Sequence, residues 1–543
     1  MILLSMQTCG HVPRYSIHKI PLLLVSLTLT LALSCETDDG TLGLIPSCSP
    51  VQDLFYANQW HLRNVAQTGG ASGEDANVKD LWDDGVCGFG VQAAIVSDGL
   101  DVDHPDLIDN VILALNHNYV TGGTDPGTGG SGSGTALAGV FAAYANRIGI
   151  RGVAPFAKLR GYNLSENRTT ANEVDAMTRE LGIVDIYLND WGPEDLSGKF
   201  NDSTSEWRTA IDTSLNSGRR GLGALFFFPA GDGAESGAFT GIDDSNLNGY
   251  ANYQGVMAIC GVGQTGVRTQ LSEQGANLLI CGHSRGTDGV GIATTDTVGT
   301  SGFNNGGSSS DFSDSNYTKT YSGTRAAMAQ VAGVAALMIA VNPDLSWRDV
   351  RIILARSARK NDATDSDWTT NGAGLPINHK YGFGVVDGAA AVDMARTWRY
   401  VSSQIQVESS TSNVATTITD GSATGVTNSI VVSGTGINHL EFVEVRVTLN
   451  INYLRDLDIT LTSPSGTQSR LLSRGSDGIC VNVGTSSIEP NGNCLFNGTL
   501  RLGVLRTMGE SADGTWTLNI RDQGARATAN GTFTSWNMKF YGY

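Results

Sequence analysis

Two different hydrophobic rhythms share this chain, and the point where one gives way to the other constrains the fold more than anything else in it. Up to about residue 396, short apolar runs alternate with helical patterns. Val91–Val96, Ile183–Leu188 and Ala224–Phe228 read as buried strands. Ala136–Ala145 and Ala326–Val341 read as apolar helices, and Trp347–Ala358 as an amphipathic one with Pro343 and Ser346 as start signals. Strands that are apolar on both faces and alternate with helices predict a parallel sheet covered on both sides, an α/β domain. From about Ser403 the period falls to two, as in Phe442–Leu449, Leu457–Thr462 and Thr515–Ile520. Turn signals such as Pro464-Ser465-Gly466 and Ala512-Asp513-Gly514 separate these runs, which predicts an all-β sandwich or barrel. The Ser/Thr-rich stretch Ser402–Ser412 contains the boundary.

At 543 residues the chain is too long for one ordinary core, in keeping with at least two domains. Its formal net charge of −18 argues against nucleic acid and anionic membrane as partners, and suits cation binding or basic peptide ligands. Near the N-terminus, Arg14, His18 and Lys19 precede an apolar run, Ile20–Leu33, that is short for a membrane span. This predicts a signal peptide over residues 1–34 and an exported protein. Cys35 follows a small residue in the manner of a bacterial lipobox, which would make it a lipidated N-terminus at the cell envelope. Ala32 and Ser34 also fit an ordinary cleavage site that releases a secreted chain, and Met6 offers an alternative start. Six further cysteines are Cys48, Cys87, Cys260, Cys281, Cys480 and Cys494. Their even number in an exported chain predicts disulfides, with Cys480–Cys494 expected because both lie in the C-terminal domain.

Six motifs in a fixed order identify a family. They are Asn58-Gln59-Trp60-His61-Leu62, Ile95–Leu100 with His104-Pro105-Asp106-Leu107, Trp191-Gly192-Pro193-Glu194-Asp195, Asn342–Val350, Asp458–Gly466 and Asp513–Leu518. The chain resembles subtilisin-like serine proteases of the kexin/furin branch, with the P (Homo B) domain that follows the catalytic domain there. The resemblance implies a subtilisin/kexin-like domain at 48–398, reached through a tether at 35–47, then a linker at 399–407 and a jelly-roll-like P-domain sandwich at 408–543. The family's pro-segment has no counterpart between Cys35 and Cys48.

That family cleaves peptides with Asp, His and Ser in chain order, assisted by an oxyanion-stabilising Asn. Here the flanking residues align Ser97, Ser133 and Arg325 with the three triad positions, and Asp232 with the Asn. Loss of the nucleophile or the base alone costs about 10⁶ in turnover, and loss of an oxyanion donor about 10²–10³. A rebuilt triad would need Ser322 within hydrogen-bond reach of His104, His117 or His283. Arg325 and Asp232 face one small volume in this fold, so the expectation is an ion pair plugging the old oxyanion site.

Other family features persist. The resemblance implies two structural calcium sites, one using Asp53, Asp106 and Asn146, the other Asp195, Asp243 and Glu273. Of the acids that read basic substrate residues, Asp98 and Asp195 remain, while one has become Asn248 and another Gly130. The expected function is an exported, calcium-stabilised pseudopeptidase that binds an unidentified protein or peptide. The alternatives are an endopeptidase with non-standard catalytic residues, and a surface adhesin acting through its P domain.

Overall fold

A computed structural model describes residues 53–127, 130–236, 243–475, 494–524 and 530–543, with Cys48 and a few short paired segments outside those ranges. The chain divides into two units, Met1–Ser47 and Cys48–Tyr543. In the first, the described residues are an antiparallel pairing of Cys35–Glu36 with Leu42–Gly43. The expected signal run and most of the tether lie outside the described residues.

The second unit holds both predicted layers. Its sheet comprises β1 (Gln92–Ser97), β2 (Lys158–Asn163), β3 (Ile186–Asn189), β4 (Leu225–Pro229), β5 (Val256–Val262) and β6 (Leu278–His283). The spatial order is β6-β5-β4-β3-β1-β2, and every pairing is parallel. The strand interiors are almost wholly buried, as residues covered on both faces must be. The longer helices of this part are α1 (Ser133–Ala142), α2 (Thr170–Thr178), α3 (Ser205–Ser217), α4 (Thr324–Val341), α5 (Trp347–Ser357) and α6 (Gly388–Arg396), and it also holds a hairpin of β7 (Ile292–Thr295) and β8 (Tyr317–Tyr321).

α4 is long and apolar enough to cross a membrane, but 83 % of it is buried in the protein, so it is the core helix of this domain. α5 starts with a capping box: Ser346 accepts from the Asp349 amide, and Asp349 accepts from the Ser346 amide. The cysteine expectation resolves into two described bridges, Cys48–Cys87 and Cys260–Cys281, the latter between register partners on β5 and β6. Cys494 is disulfide-bonded, while Cys480 lies outside the described residues.

After α6 come the antiparallel strands β9 (Ile405–Glu408), β10 (Ser412–Ile418), β11 (Val426–Val432), β12 (Leu440–Ile451), β13 (Leu457–Thr462), β14 (Gln468–Leu472), β15 (Phe496–Val504), β16 (Gly514–Asp522) and β17 (Gly531–Gly542). One sheet runs β9-β17-β12-β15, with β10 also on β17; the other runs β11-β16-β13-β14. Alternate residues such as Trp516, Leu518 and Ile520 point into a common core between two sheets, so of the sandwich or barrel that the period of two predicted, the fold is the sandwich the resemblance implied.

The sandwich is locked onto the α/β part through buried polar contacts. Glu441 on β12, fully buried, accepts from Arg348 on α5 at 2.5 Å and stands 3.5 Å from Arg351. The Asn246 side chain donates to the Leu471 and Gly503 carbonyls and accepts from the Gly503 amide at 2.8 Å.

Candidate active site and acidic cluster

Parallel α/β sheets place chemistry at the carboxyl ends of their strands, where loops from several strands meet. Ser97 ends β1, Asp190 follows β3 and Asp232 follows β4. Ser133 opens α1, and Arg325 sits in the first turn of α4. The fold therefore brings the three triad-equivalent positions and the oxyanion-equivalent position together.

Their centre is a residue that sequence reasoning missed. The Asp190 carboxylate accepts from the Ser133 hydroxyl at 2.5 Å and from the Ser97 hydroxyl at 3.3 Å. The Arg325 Nε lies 3.7 Å from it. All three positions read as triad equivalents thus converge on one acid. Its neighbour in sequence, the Trp191–Asp195 motif, was legible; an acid closing a parallel strand beside it was the available signal.

The expected Arg325–Asp232 pair is looser than predicted. Arg325 reaches Asp232 only at 3.9 Å, donates to the Ser133 hydroxyl at 3.3 Å and is more strongly held by Asp190. Its side chain is 36 % exposed, so the pair with Asp232 is half-buried. The reason is that Asp232 serves α4: its carboxylate accepts from the Thr324 amide at 2.8 Å, satisfying a free N–H at the positive end of the helix. That acid also offsets the unfavourable position of a guanidinium in a first helical turn. Where the family needs a donor to an oxyanion, this chain presents an acceptor.

Asp98, expected as a pocket acid, is turned into α1. Its oxygens accept from the Gly134 amide at 2.9 Å, the Ser131 amide at 3.0 Å and the Ser131 hydroxyl at 2.6 Å. The helix can come this close only because residue 134 is glycine; a Cβ there would lie 1.8 Å from the Gly99 carbonyl oxygen.

No serine hydroxyl is hydrogen-bonded to a histidine ring among the described residues. His104 bonds the Asn316 carbonyl at 2.9 Å, His283 bonds Gln330 and Glu74, and His117 packs against Tyr119 with ring centroids 4.5 Å apart.

Beneath the cleft, Asp195, Asp243 and Glu273 bring carboxylate oxygens within 4.8 Å of one another. Burial and then the charges of Asp232 and Asp243 push Asp195 up to about 7, and burial pushes Asp243 up to about 6. Glu273, fully enclosed, is driven well above its ordinary value by burial and like-charge repulsion. Three acids forced together in this way fit a hard divalent cation, which takes oxygen ligands. Asn248 lines the same cavity, which holds about 20 Å³, room for one water-sized sphere and too little for a basic side chain. Asn248 itself caps the following turn, accepting from the Tyr250 amide at 3.0 Å.

The other expected calcium set fits less well. Asp53, Asp106 and Asn146 do meet at one loop, and the buried Asp106 Oδ1 has no hydrogen-bond partner. Asp53 is committed elsewhere: one oxygen pairs with the Arg151 Nε at 2.9 Å, and the other accepts from the Asn146 and Arg147 amides. Arg151 is itself buried and requires that counter-charge.

Comparison with known proteins agrees with this geometry. Residues 88–384 match the subtilase family, and residues 440–540 the proprotein convertase P-domain. Neuroendocrine convertase 2 of Bos taurus is 32 % identical over 511 residues, covering 91 % of this chain and 74 % of its own length. Furin-like protease 1, isoform 1-CRR, of Drosophila melanogaster is 30 % identical over 93 % of this chain and 43 % of itself. Among solved structures, the serine protease of Aeromonas sobria superposes with a TM-score of 0.79 at 26 % identity, covering 94 % of this chain and 99 % of that one. The same protease in complex with its chaperone gives 0.79 at 25 % identity, covering 95 % and 98 %.

Proposed function

This chain belongs to the subtilase family, in the kexin/furin branch whose members carry a P-domain, and from that membership we propose that it is an exported pseudopeptidase, a binding or scaffold protein that does not cut. One observation carries the reading: Asp190 engages all three triad-equivalent side chains, in a cleft with no serine–histidine pair among the described residues. A peptide carbonyl entering this cleft would meet a cation at the nucleophile position and a carboxylate at the oxyanion position. A half-exposed guanidinium and several acids can hold a ligand by charge and hydrogen bonds, but no histidine there takes a proton from an attacking hydroxyl, and Asp190, the carboxylate that accepts from Ser133 and Ser97, is paired with Arg325. The nature of the ligand, protein or peptide, is part of the proposal and follows from the cleft's ancestry.

Calcium is proposed as a structural ion. Asp195, Asp243 and Glu273 would hold it, and the ion would supply the positive charge that lets three crowded carboxylates, two of them buried, stay ionised together. Export through the N-terminal signal, ending in a lipid anchor at Cys35 or in release, completes the reading; both ends of that alternative keep the protein outside the cytoplasm.

A fluorophosphonate probe, applied with calcium present, tests the central claim, and the expected result is no labelling. Labelling abolished by Ser322→Ala, or by replacing any other single serine, would establish the unorthodox endopeptidase instead. The adhesin alternative predicts that partner binding survives all changes in the cleft and is lost when the sandwich surface is altered. Restoring Ser97→Asp, Ser133→His, Asp232→Asn and Arg325→Ser must be accompanied by Asp190→Asn, because a second acid at Asp190 would repel the new Asp at 97. Recovered proteolysis in that fivefold variant would locate the whole deficit in the cleft.

A further inference from the structure

A second cavity lies at the opposite edge of the parallel sheet, at the amino ends of its strands. It holds about 410 Å³ and is lined by Val91 and Gln92 entering β1, Ile183 and Asp185 before β3, and Leu222 before β4, together with Arg219 and Arg220. The cleft residues Ser97, Asp190 and Asp232 stand at the carboxyl ends of the same strands, so the two sites are separate.

The loop that carries the two arginines is unusual. Arg219 (φ 47°, ψ 45°) and Arg220 (φ 59°, ψ 31°) are both left-handed, which side chains with a Cβ rarely adopt, and Gly221 and Gly223 continue the positive φ at 94° and 80°. Arg219 fastens this conformation. Its guanidinium donates to the Leu345 carbonyl at 2.9 Å and the Gly223 carbonyl at 3.3 Å, and pairs with Asp185 at 3.1 Å. The second Asp185 oxygen accepts from the Gln92 amide at 2.9 Å. The cavity's carboxylate is therefore spent, and one guanidinium with it.

Arg220 is different. It is exposed on the cavity wall, with no hydrogen bond or ion pair among the described residues. It is an exposed cation on a chain whose net charge is −18, and the cavity's own carboxylate, Asp185, is bonded to Arg219. Around it the lining is mixed, with an apolar patch in which Phe89 is 67 % and Ile183 44 % exposed and to which Leu222 and Ile339 contribute. The volume falls within the range of small-molecule sites, roughly 300–1,000 Å³.

We propose that this cavity binds an amphipathic anion, an apolar chain or ring ending in one carboxylate, with the head on Arg220 and the body on Phe89 and Ile183. An inorganic anion would leave the apolar patch of Phe89 and Ile183 wet, and a plain hydrocarbon would leave Arg220 to water alone. A carboxylate on an apolar body satisfies both, because a charged hydrogen bond fixes the head while burial of apolar area supplies the rest.

The test uses the full chain with octanoate as ligand, acetate as the head alone and octylammonium as the charge-reversed body, followed by titration calorimetry and amide hydrogen exchange. Octanoate is expected to bind saturably at one site per chain and to slow exchange in the 218–223 loop. Acetate and octylammonium are expected to bind at least tenfold more weakly. Arg220→Gln should weaken octanoate at least tenfold, and Ile183→Ser should weaken it severalfold without touching the loop. Undetectable or non-saturating octanoate binding would overturn the proposal. So would binding indifferent to both variants, or octylammonium binding as tightly as octanoate. None of these readouts depends on whether the cleft cuts peptides.

Discussion

Replacing Asp190 with asparagine keeps the shape of the side chain and its capacity to accept from Ser133 and Ser97, and removes the charge that faces Arg325. At the observed 3.7 Å, a full unit pair is worth about 4 kcal/mol at an effective dielectric of about 20. Arg325 is 36 % exposed, so solvent screening takes a large part of that, and Asp232 at 3.9 Å continues to hold the guanidinium. The coupling between Asp190 and Arg325 should then be ~1–2 kcal/mol, read from a double-mutant cycle of Asp190→Asn, Arg325→Met and the pair. Taking residues 48–543, about 500 residues, to unfold as one unit, roughly 2.1 cal/mol/K per residue gives an unfolding entropy near 1 kcal/mol/K. Each kcal/mol therefore moves the midpoint by only about 1 °C, so the cycle is best read from denaturant unfolding, with thermal scans as a check. Raising the salt to about 1 M should shrink the coupling, since exposed charges are screened within about 3 Å there. If the single variants add within about 0.5 kcal/mol, Asp190 does not hold Arg325, and the account of the cleft as a closed polar network fails.

The remaining predictions concern the body of the protein. Calcium at about a hundredfold over its dissociation constant should stabilise by ~2.7 kcal/mol, about 3 °C here by differential scanning fluorimetry, and Glu273→Gln or Asp243→Asn should abolish the shift. Asp53→Asn should instead destabilise with or without calcium, because it strands Arg151. Glu441→Gln leaves two buried guanidiniums facing a neutral group and should cost about 3–5 kcal/mol in unfolding experiments, whereas a cost under about 1 kcal/mol would mean the domain interface does not depend on that charge. Acid should also loosen the fold. Burial, and then the charge of His283, hold His61 down at about 3, and burial holds His379 at about 4, so both are neutral when folded. The unfolded chain protonates them near 6.5, so their contribution is complete above 6.5 and is lost as pH falls towards 4 and then 3. His379 accepts from the Arg470 amide at 2.9 Å, so part of that loss falls on the domain interface, and amide exchange at residue 470 should rise first. The titration belongs in saturating calcium: without the ion, Asp195 and Asp243 bind protons more readily folded than unfolded and work in the opposite direction.

What the sequence disclosed and what it withheld follow the range of the interactions involved. Leu457–Thr462 was placed to the residue, and the two long helices to within two residues at either end, because a period of two or 3.6 is written locally. The start of α1 was placed three residues late, at Ala136 where the helix begins at Ser133, because its cap is not a local Ser or Asp. That cap is Asp98, which lies far along the chain and reaches the helix through a glycine contact. The same holds in the cleft. The substituted positions could be aligned by their neighbours, but a substitution at one position says nothing about which acid will compensate it. Arg325 faces two candidates at nearly the same distance, and the choice between them was made by a helix terminus that needed Asp232. Asp53 stays at its expected calcium set but is shared in the same way with a buried arginine that must be neutralised. In each case the acid's partner was decided by a guanidinium or an amide brought from a distant part of the chain. The acids of this protein are therefore best reasoned about by what they must neutralise. By that criterion Asp195, Asp243 and Glu273, three acids that repel one another and face the single nearby guanidinium of Arg455, are the set that a cation would complete.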